Sequence, residues 1–218
     1  MLVIFDLDDT LIDTSGIITP FKLKLALMRM VEAGLKTDPF DRAFQLLKQI
    51  DSQSEATRHT INTFLDHYGA PKSFFDIAMQ AFVEPLPEDF VVKTWRQTHQ
   101  VLTDLKKDHT LAIVTMGDPD FQMEKIKKAG LEHSIFCKIA VAGVNNKKPH
   151  YKSLMEELKL PPTQVVVVGD RIGNDLTPAK ELGALTVHLV KGRGKNSKGP
   201  KEHVDFTICE IEELTGVL

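Results

Sequence analysis

Cysteine is scarce in this chain, which has only Cys137 and Cys209 among its 218 residues. Their spacing suits neither a metal-ligand set nor a redox pair, and they build no disulfide framework. A reducing cytoplasm is the expected compartment. Excess positive charge is absent as well: the formal net charge is -3, which argues against general binding to nucleic acid or an anionic membrane. No apolar run approaches the ~20 residues that a membrane helix needs. The amino terminus lacks the basic start of an export signal, and its short apolar run is cut at once by Asp6, Asp8 and Asp9. No internal repeat is visible, and the nearest thing to a low-complexity tract is the basic, Gly-rich run from Lys191 to Gly199. No G-x-G-x-x-G follows the first apolar run, and Gly194-Lys195 leads into Asn196, so a nucleotide-binding loop is excluded.

What is present is ordinary soluble-protein composition, 42% apolar and 26% charged, with length enough for one large domain or a core with a smaller one appended. Leu2 to Phe5 reads as a short, fully buried strand. From 18 to 84 the apolar residues recur at helical spacing: Phe21, Leu25, Met28, Leu35; then Phe40, Phe44, Leu47, Ile50; then Ile61, Phe64, Leu65, Tyr68; then Phe74, Phe75, Ala78, Met79, Phe82. Gly34, Asp51-Ser52, Gly69-Ala-Pro71 and Pro85-Leu-Pro87 separate these sets, so roughly four helices with core-facing stripes are expected. After Pro87 helices and strands alternate. Helices are expected over 91–107, 121–129, 150–158 and 175–182, and strands over 111–114, 138–141, 165–168 and 184–190. The loop Asn145-Asn-Lys-Lys-Pro149 follows the second of these strands, and a last short strand and helix fall within 204–218. Such alternation gives a parallel sheet covered on both faces. The fold class is therefore α/β, a three-layer Rossmann-like parallel core with an inserted helical domain.

The chemistry gathers at strand ends, where open α/β sheets bind ligands. The first strand runs into Asp6-Leu7-Asp8-Asp9-Thr10. Two carboxylates roughly 4 Å apart repel by about 4 kcal/mol at an effective dielectric of about 20. A chain keeps such a cluster where a cation neutralises it or one acid stays protonated. Thr115 ends another strand, beside Gly117; it offers a hydroxyl to a ligand, or it or Asp118 caps the next helix. Lys148, before Pro149, follows a third strand end and, taken alone, reads as solvated surface. Gly169-Asp-Arg-Ile-Gly-Asn-Asp175 puts two acids, Asp170 and Asp175, on the turn after the most apolar strand. Carboxylates, a hydroxyl and an ammonium on one sheet edge suit Mg²⁺ with a phosphate as the remaining partner.

Asp6-Leu-Asp-Asp-Thr-Leu11, Thr115, Lys148-Pro149 and Gly169-Asp170 with Asp175 resemble, in order, motifs I to IV of the haloacid dehalogenase superfamily. The resemblance covers 1–14 and 86 to about 190. It implies a core domain of 1–14 with 86–218, and a helical C1-type cap over 15–85. It further implies Asp6 as nucleophile, forming an aspartyl-phosphate, and Asp8 as acid and then base. Thr115, Met116 and Lys148 would hold the phosphoryl group. Mg²⁺ would lie on Asp6, the backbone carbonyl of Asp8, and Asp170; Asp175 would orient Lys148 or a metal-bound water, with Asn174 and Asp9 in support. The carboxylate at position 8 separates the phosphatases and mutases from the metal-free dehalogenases. Asp9 stands where many relatives have Gly, Met116 where Asn is commoner, and His150 where an Asp often follows the Lys-Pro pair.

The expected activity is Mg²⁺-dependent hydrolysis of a small phosphorylated metabolite. A phosphomutase, or a non-enzymatic phosphoacceptor or binding module, is the alternative. The cap would select the substrate, with His59, His67, Tyr68 and Lys48 as possible contacts. The basic loop after 190 is either mobile surface or an attractor of anionic substrate through Lys191, Arg193 or Lys195.

Overall fold

The computed structural model describes residues 1–54, 56–143 and 146–218. Asn145, assigned above to a loop, lies outside them. The chain divides into two compact units, Met1–Ser15 with Pro87–Leu218, and Gly16–Leu86.

The first unit is built on six strands, β1 (Leu2–Phe5), β2 (Thr110–Met116), β3 (Phe136–Ala142), β4 (Val165–Gly169), β5 (Leu185–Leu189) and β6 (Phe206–Ile208). They form one sheet in the order β3-β2-β1-β4-β5-β6, every pairing parallel. Alternate residues explain its three layers. Leu2 and Ile4 of β1, Ala112 and Val114 of β2, and Val165 and Val167 of β4 pack on one face with Tyr151, Leu154 and Met155. The residues between them, Val3, Phe5, Leu111, Ile113, Val166 and Val168, are equally buried. Both faces are therefore covered, as a parallel sheet requires. Strand order reverses between β1 and β4, which opens a crevice at the carboxyl ends of those two strands.

Two helices of this unit differ from expectation. Residues 91–107 are not one helix; the helix, which we label α5, is Thr98–Asp108. The segment before it runs extended, because it pairs with the loop after β1. Ile12 and Thr94 form an antiparallel bridge, Asp13 N–H donates to the Lys93 carbonyl at 2.8 Å, and Trp95 N–H to the Leu11 carbonyl at 3.3 Å. Val91, Val92 and Thr94 are β-branched and lose little by leaving a helix, and Gln97 at φ 62° blocks helix before it. The helix expected over 175–182 is a wide π-type turn, Ile172–Leu176, followed by a single α-turn over Thr177–Lys180. The helices α6 (Pro119–Lys128) and α7 (Lys148–Leu158) fall close to expectation. The C-terminal segment ends in 3₁₀ turns over Ile211–Gly216.

The second unit consists of α1 (Thr19–Glu32), α2 (Phe40–Ser52), α3 (Thr57–His67) and α4 (Ser73–Val83). Its core joins Leu23, Leu27 and Met30 to Ala43, Leu47, Ile61, Phe64, Ala78 and Ala81. In α1 the buried stripe is offset from the expected one: Met28 is exposed, and Phe21 and Leu25 are half-buried. The residues that face inward are Leu23, Ala26, Leu27 and Met30, the i, i+3, i+4, i+7 set two positions along. The buried Lys22 donates to the carbonyls of Ala81 and Glu84, satisfying groups that the end of α4 leaves open. Among the described residues no helix is long and apolar enough to cross a membrane.

At the far edge, Asp205 ties β6 to β5. Its carboxylate accepts from Thr186 N–H at 2.9 Å, Thr186 Oγ1 at 3.0 Å and Lys180 Nζ at 2.5 Å. Burial alone would raise this carboxyl; the bonds from Lys180 and Thr186 outweigh it and hold it below its ordinary value. A depressed folded-state value stabilises above the ordinary carboxylate range, and that contribution disappears as pH falls through the folded value. Asp205→Asn therefore costs about 1–2 kcal/mol at neutral pH, and urea denaturation across a pH series shows its deficit shrinking in acid.

Candidate active site

Asp6 follows β1 directly and is fixed there by its backbone, whose N–H donates to the Val168 carbonyl at 2.9 Å. Asp170 follows β4, which pairs with β1 from Leu2↔Val165 to Phe5↔Val168. The register brings the two acids together at the crevice. Asp175 returns to them across the π-type turn, and the oxygens of Asp6, Asp170 and Asp175 lie within 4.8 Å of one another, all three residues buried. Gly169 permits this approach, since a Cβ there would stand 2.5 Å from the Asp175 Cβ.

The ammonium in this cluster belongs to Lys147, not Lys148. Lys147 has 1% of its side chain exposed, and its Nζ donates to Asp6 Oδ1 at 2.5 Å and Asp175 Oδ1 at 2.7 Å. Asp175 Oδ2 accepts from Arg171 N–H at 2.9 Å. Lys148, with 41% of its side chain exposed, pairs with Glu181 at 2.7 Å. The correction has a physical cause: α7 begins at Lys148, and successive residues of a helical turn cannot face the same way. Lys148 taken alone as solvated surface is what the geometry shows. His150 is half-buried in the first turn of α7.

Electrostatically the cluster is short of positive charge. Burial raises the Asp6 carboxyl to about 7, with Lys147 opposing and Asp175 and Asp8 adding to the rise. Burial, then Asp175, Asp6 and Asp9, push Asp170 well above its ordinary value. Asp170 Oδ1 is buried with no hydrogen-bond partner among the described residues, while the Asp170 carbonyl lies 2.9 Å from His188 Nε2. An orphaned carboxylate oxygen among two further carboxylates is a donor set for a hard divalent cation.

Asp8 sits apart from that cluster. Its Oδ1 accepts from Thr14 Oγ1 at 2.5 Å and Lys125 Nζ at 2.6 Å, and its Oδ2 from Lys125 Nζ at 2.8 Å and Gln122 Nε2 at 2.9 Å. Burial would raise this carboxyl, but the charge and bonds of Lys125, with Thr14 and Gln122, hold it below its ordinary value. Thr115 lies within β2, buried, with Oγ1 2.5 Å from Gln122 Nε2. Asp118 caps α6 by accepting from Phe121 N–H at 3.0 Å, so Thr115 is released from capping. Met116 is half-buried and its carbonyl accepts from Gln122 Nε2 at 2.9 Å. Asn174 is half-buried on the π-type turn.

Asp9 has φ 58°, the left-handed region in which glycine is at ease and Asp is tolerated. Its carboxylate accepts from Ser15 N–H at 2.8 Å, from Ser15 Oγ, and from Arg193 N–H at 3.2 Å. Burial still leaves its carboxyl above the ordinary value, against those bonds. The basic loop is thereby anchored at the sheet edge. Lys191 pairs with Glu210 and lies over the Trp95 ring at 5.4 Å.

Lys147, Gln122 and Lys125 are the site residues that motif reasoning passed over. The last two left a trace: with Ile126 they occupy the inward phase of α6, where an amphipathic helix carries apolar residues. Polar groups at that phase mark a buried polar site. Lys147 left none beyond standing next to Lys148.

A profile of the family described as haloacid dehalogenase-like hydrolase matches residues 3–189. The chain belongs to this family. Among its relatives, glyceraldehyde 3-phosphate phosphatase of Methanocaldococcus jannaschii is 30% identical, over 99% of this chain and 96% of the relative. The protein of the same name from Pyrococcus furiosus is 29% identical, over 100% and 92%. A HAD-hydrolase structure from Bacillus subtilis bound to magnesium shares the fold at TM-score 0.67 and 18% identity, covering 100% of this chain and 97% of that one. The haloacid dehalogenase-like chain described here groups with the phosphatases of the family.

Gly192, at φ 45°, closes against Asp9: a Cβ there would come within 2.1 Å of the Asp9 carboxylate carbon. Gly192→Ala should lower the melting temperature, and Asp9→Gly should recover part of that loss. A double-mutant cycle by thermal denaturation is expected to show coupling of about 1 kcal/mol; additive effects would disprove the contact.

Proposed function

We propose that this phosphatase hydrolyses a small phosphomonoester through an aspartyl-phosphate on Asp6, with Mg²⁺ as cofactor. The observation that carries this is the cluster of buried carboxylates at the β1/β4 crevice: among the described residues, Asp6, Asp170 and Asp175 converge there, and the Lys147 ammonium is paired with only Asp6 and Asp175 of the three. Asp6, Asp170 and the backbone carbonyl of Asp8 would hold the ion, and the unpartnered Asp170 Oδ1 supports the fit. Bound there, Mg²⁺ screens the charge between an anionic nucleophile and a phosphate dianion.

Asp6 attacks phosphorus, and its new O–P bond replaces the bond to the leaving oxygen. Asp8, which must enter the step protonated although Lys125 favours its ionised form, gives that oxygen its proton, then regains one from the water that opens the aspartyl-phosphate. Thr115, the backbone at Met116 and Lys147 hold the phosphoryl oxygens. In this role Lys147 replaces the expected Lys148, and Asp175 keeps it in place. The helical unit is the cap, selecting substrate. Glyceraldehyde 3-phosphate is the first candidate, supported by the names of the two relatives, which also favour hydrolysis over the mutase alternative.

Phosphate release from p-nitrophenyl phosphate and glyceraldehyde 3-phosphate, with Mg²⁺ and with EDTA, tests this. Turnover is expected only with metal and is expected to vanish in Asp6→Asn; activity surviving that change removes the nucleophile assignment. Lys147→Met should lower kcat by about 10²-fold or more, while Lys148→Met stays within about twofold, since exposed ion pairs contribute little. The reverse ranking would return the role to Lys148.

A further inference from the structure

The proposed reaction leaves one buried cation of the site without a part. Lys125, with 5% of its side chain exposed, reaches from α6 to both oxygens of Asp8, at 2.6 Å and 2.8 Å. Lysine is rarely buried unless paired, and its long side chain loses much freedom when fixed. One turn earlier on the same helix, Gln122 Nε2 lies 2.9 Å from Asp8 Oδ2, 2.5 Å from Thr115 Oγ1 and 2.9 Å from the Met116 carbonyl. Thr14 closes the other side of the carboxylate at 2.5 Å. The aspartate has two side-chain torsions, and these contacts hold both.

We propose that Lys125 is a positioning residue for Asp8, holding its carboxylate where the leaving oxygen must collect a proton, while Gln122 ties that position to Thr115. This rests on the acid-base role given to Asp8 above. Lys125 does not touch substrate; it acts through Asp8. In the transfer step, which starts from protonated Asp8, the Asp6 oxygen–phosphorus bond forms, the phosphorus–leaving-oxygen bond breaks, and the Asp8 proton passes to the leaving oxygen, leaving Asp8 as the carboxylate. A misplaced Asp8 penalises that last transfer alone. The penalty therefore depends on how strongly the leaving oxygen needs a proton: little for nitrophenolate, much for phenolate or an alkoxide.

The decisive quantity is kcat/KM, which covers steps up to leaving-group departure and is blind to hydrolysis of the phosphoenzyme. It is measured with Mg²⁺ for Lys125→Met on p-nitrophenyl phosphate, phenyl phosphate and glyceraldehyde 3-phosphate. We expect a loss of about 10²-fold on the last two, within the range of general acid catalysis, and less than about fivefold on the first. Lys125→Arg should recover most of the phenyl phosphate activity. If Lys125→Met does not fold, Lys125→Gln is read in the same way. Equal losses on all substrates, or none, overturn the positioning role while leaving the phosphatase reading intact. Wild-type protein inactive on all three, or active after Asp6→Asn, overturns that reading and this one with it.

Discussion

Everything at the functional edge depends on mutual repulsion among Asp6, Asp170 and Asp175, which the sheet forces into one small volume. β1 and β4 are apolar and in register, so the acids that end them cannot move apart without breaking the central pairing. Burial multiplies the repulsion, because water no longer screens it. Lys147 relieves part of it by bridging two of the three. The remainder stays on Asp170, whose buried Oδ1 has no partner among the described residues. A fold that carries such stress at its ligand crevice, inside an otherwise apolar core, is organised to receive positive charge there.

Asp8 shows the same logic with the opposite outcome. Only two residues from Asp6, it is met by an ammonium, an amide and a hydroxyl, and its carboxyl is held down rather than pushed up. Two aspartates on one loop therefore differ because their neighbours differ. The neighbours of Asp8 come largely from α6. That helix is placed by β2, the strand that also carries Thr115, so the two halves of the site share one support.

Much of this was legible from the sequence, for identifiable reasons. Val165 to Val168 admit no environment except a buried strand, and the acids after them must then lie at its carboxyl end. The four helices of the second unit were visible because their apolar stripes repeat at 3.6 residues, although in α1 the stripe lies two positions from where Phe21 and Met28 suggested. The misses share a cause. The segment 91–97 leaves helix because it pairs with residues some eighty positions earlier, which no local pattern encodes. Lys147 and Lys148 are the same residue type side by side, and only the start of α7 decides which turns inward. Gln122 and Lys125 were hidden in the opposite way, as polar residues in a phase read only for its apolar members.

The contact between Asp9 and Gly192 joins the loop after the first strand to the loop after the fifth. The carboxylate fills the space that a side chain at 192 would need, and both residues have positive φ. Neither position is free to drift while the other stays as it is. A chain of this fold with glycine at 9 has room for Asn or Asp at 192, because both tolerate a left-handed backbone; a chain with aspartate at 9 does not. Across descendants of this sequence the two positions, far apart along the chain, should change as a pair, in a fixed order: 9 first, then 192.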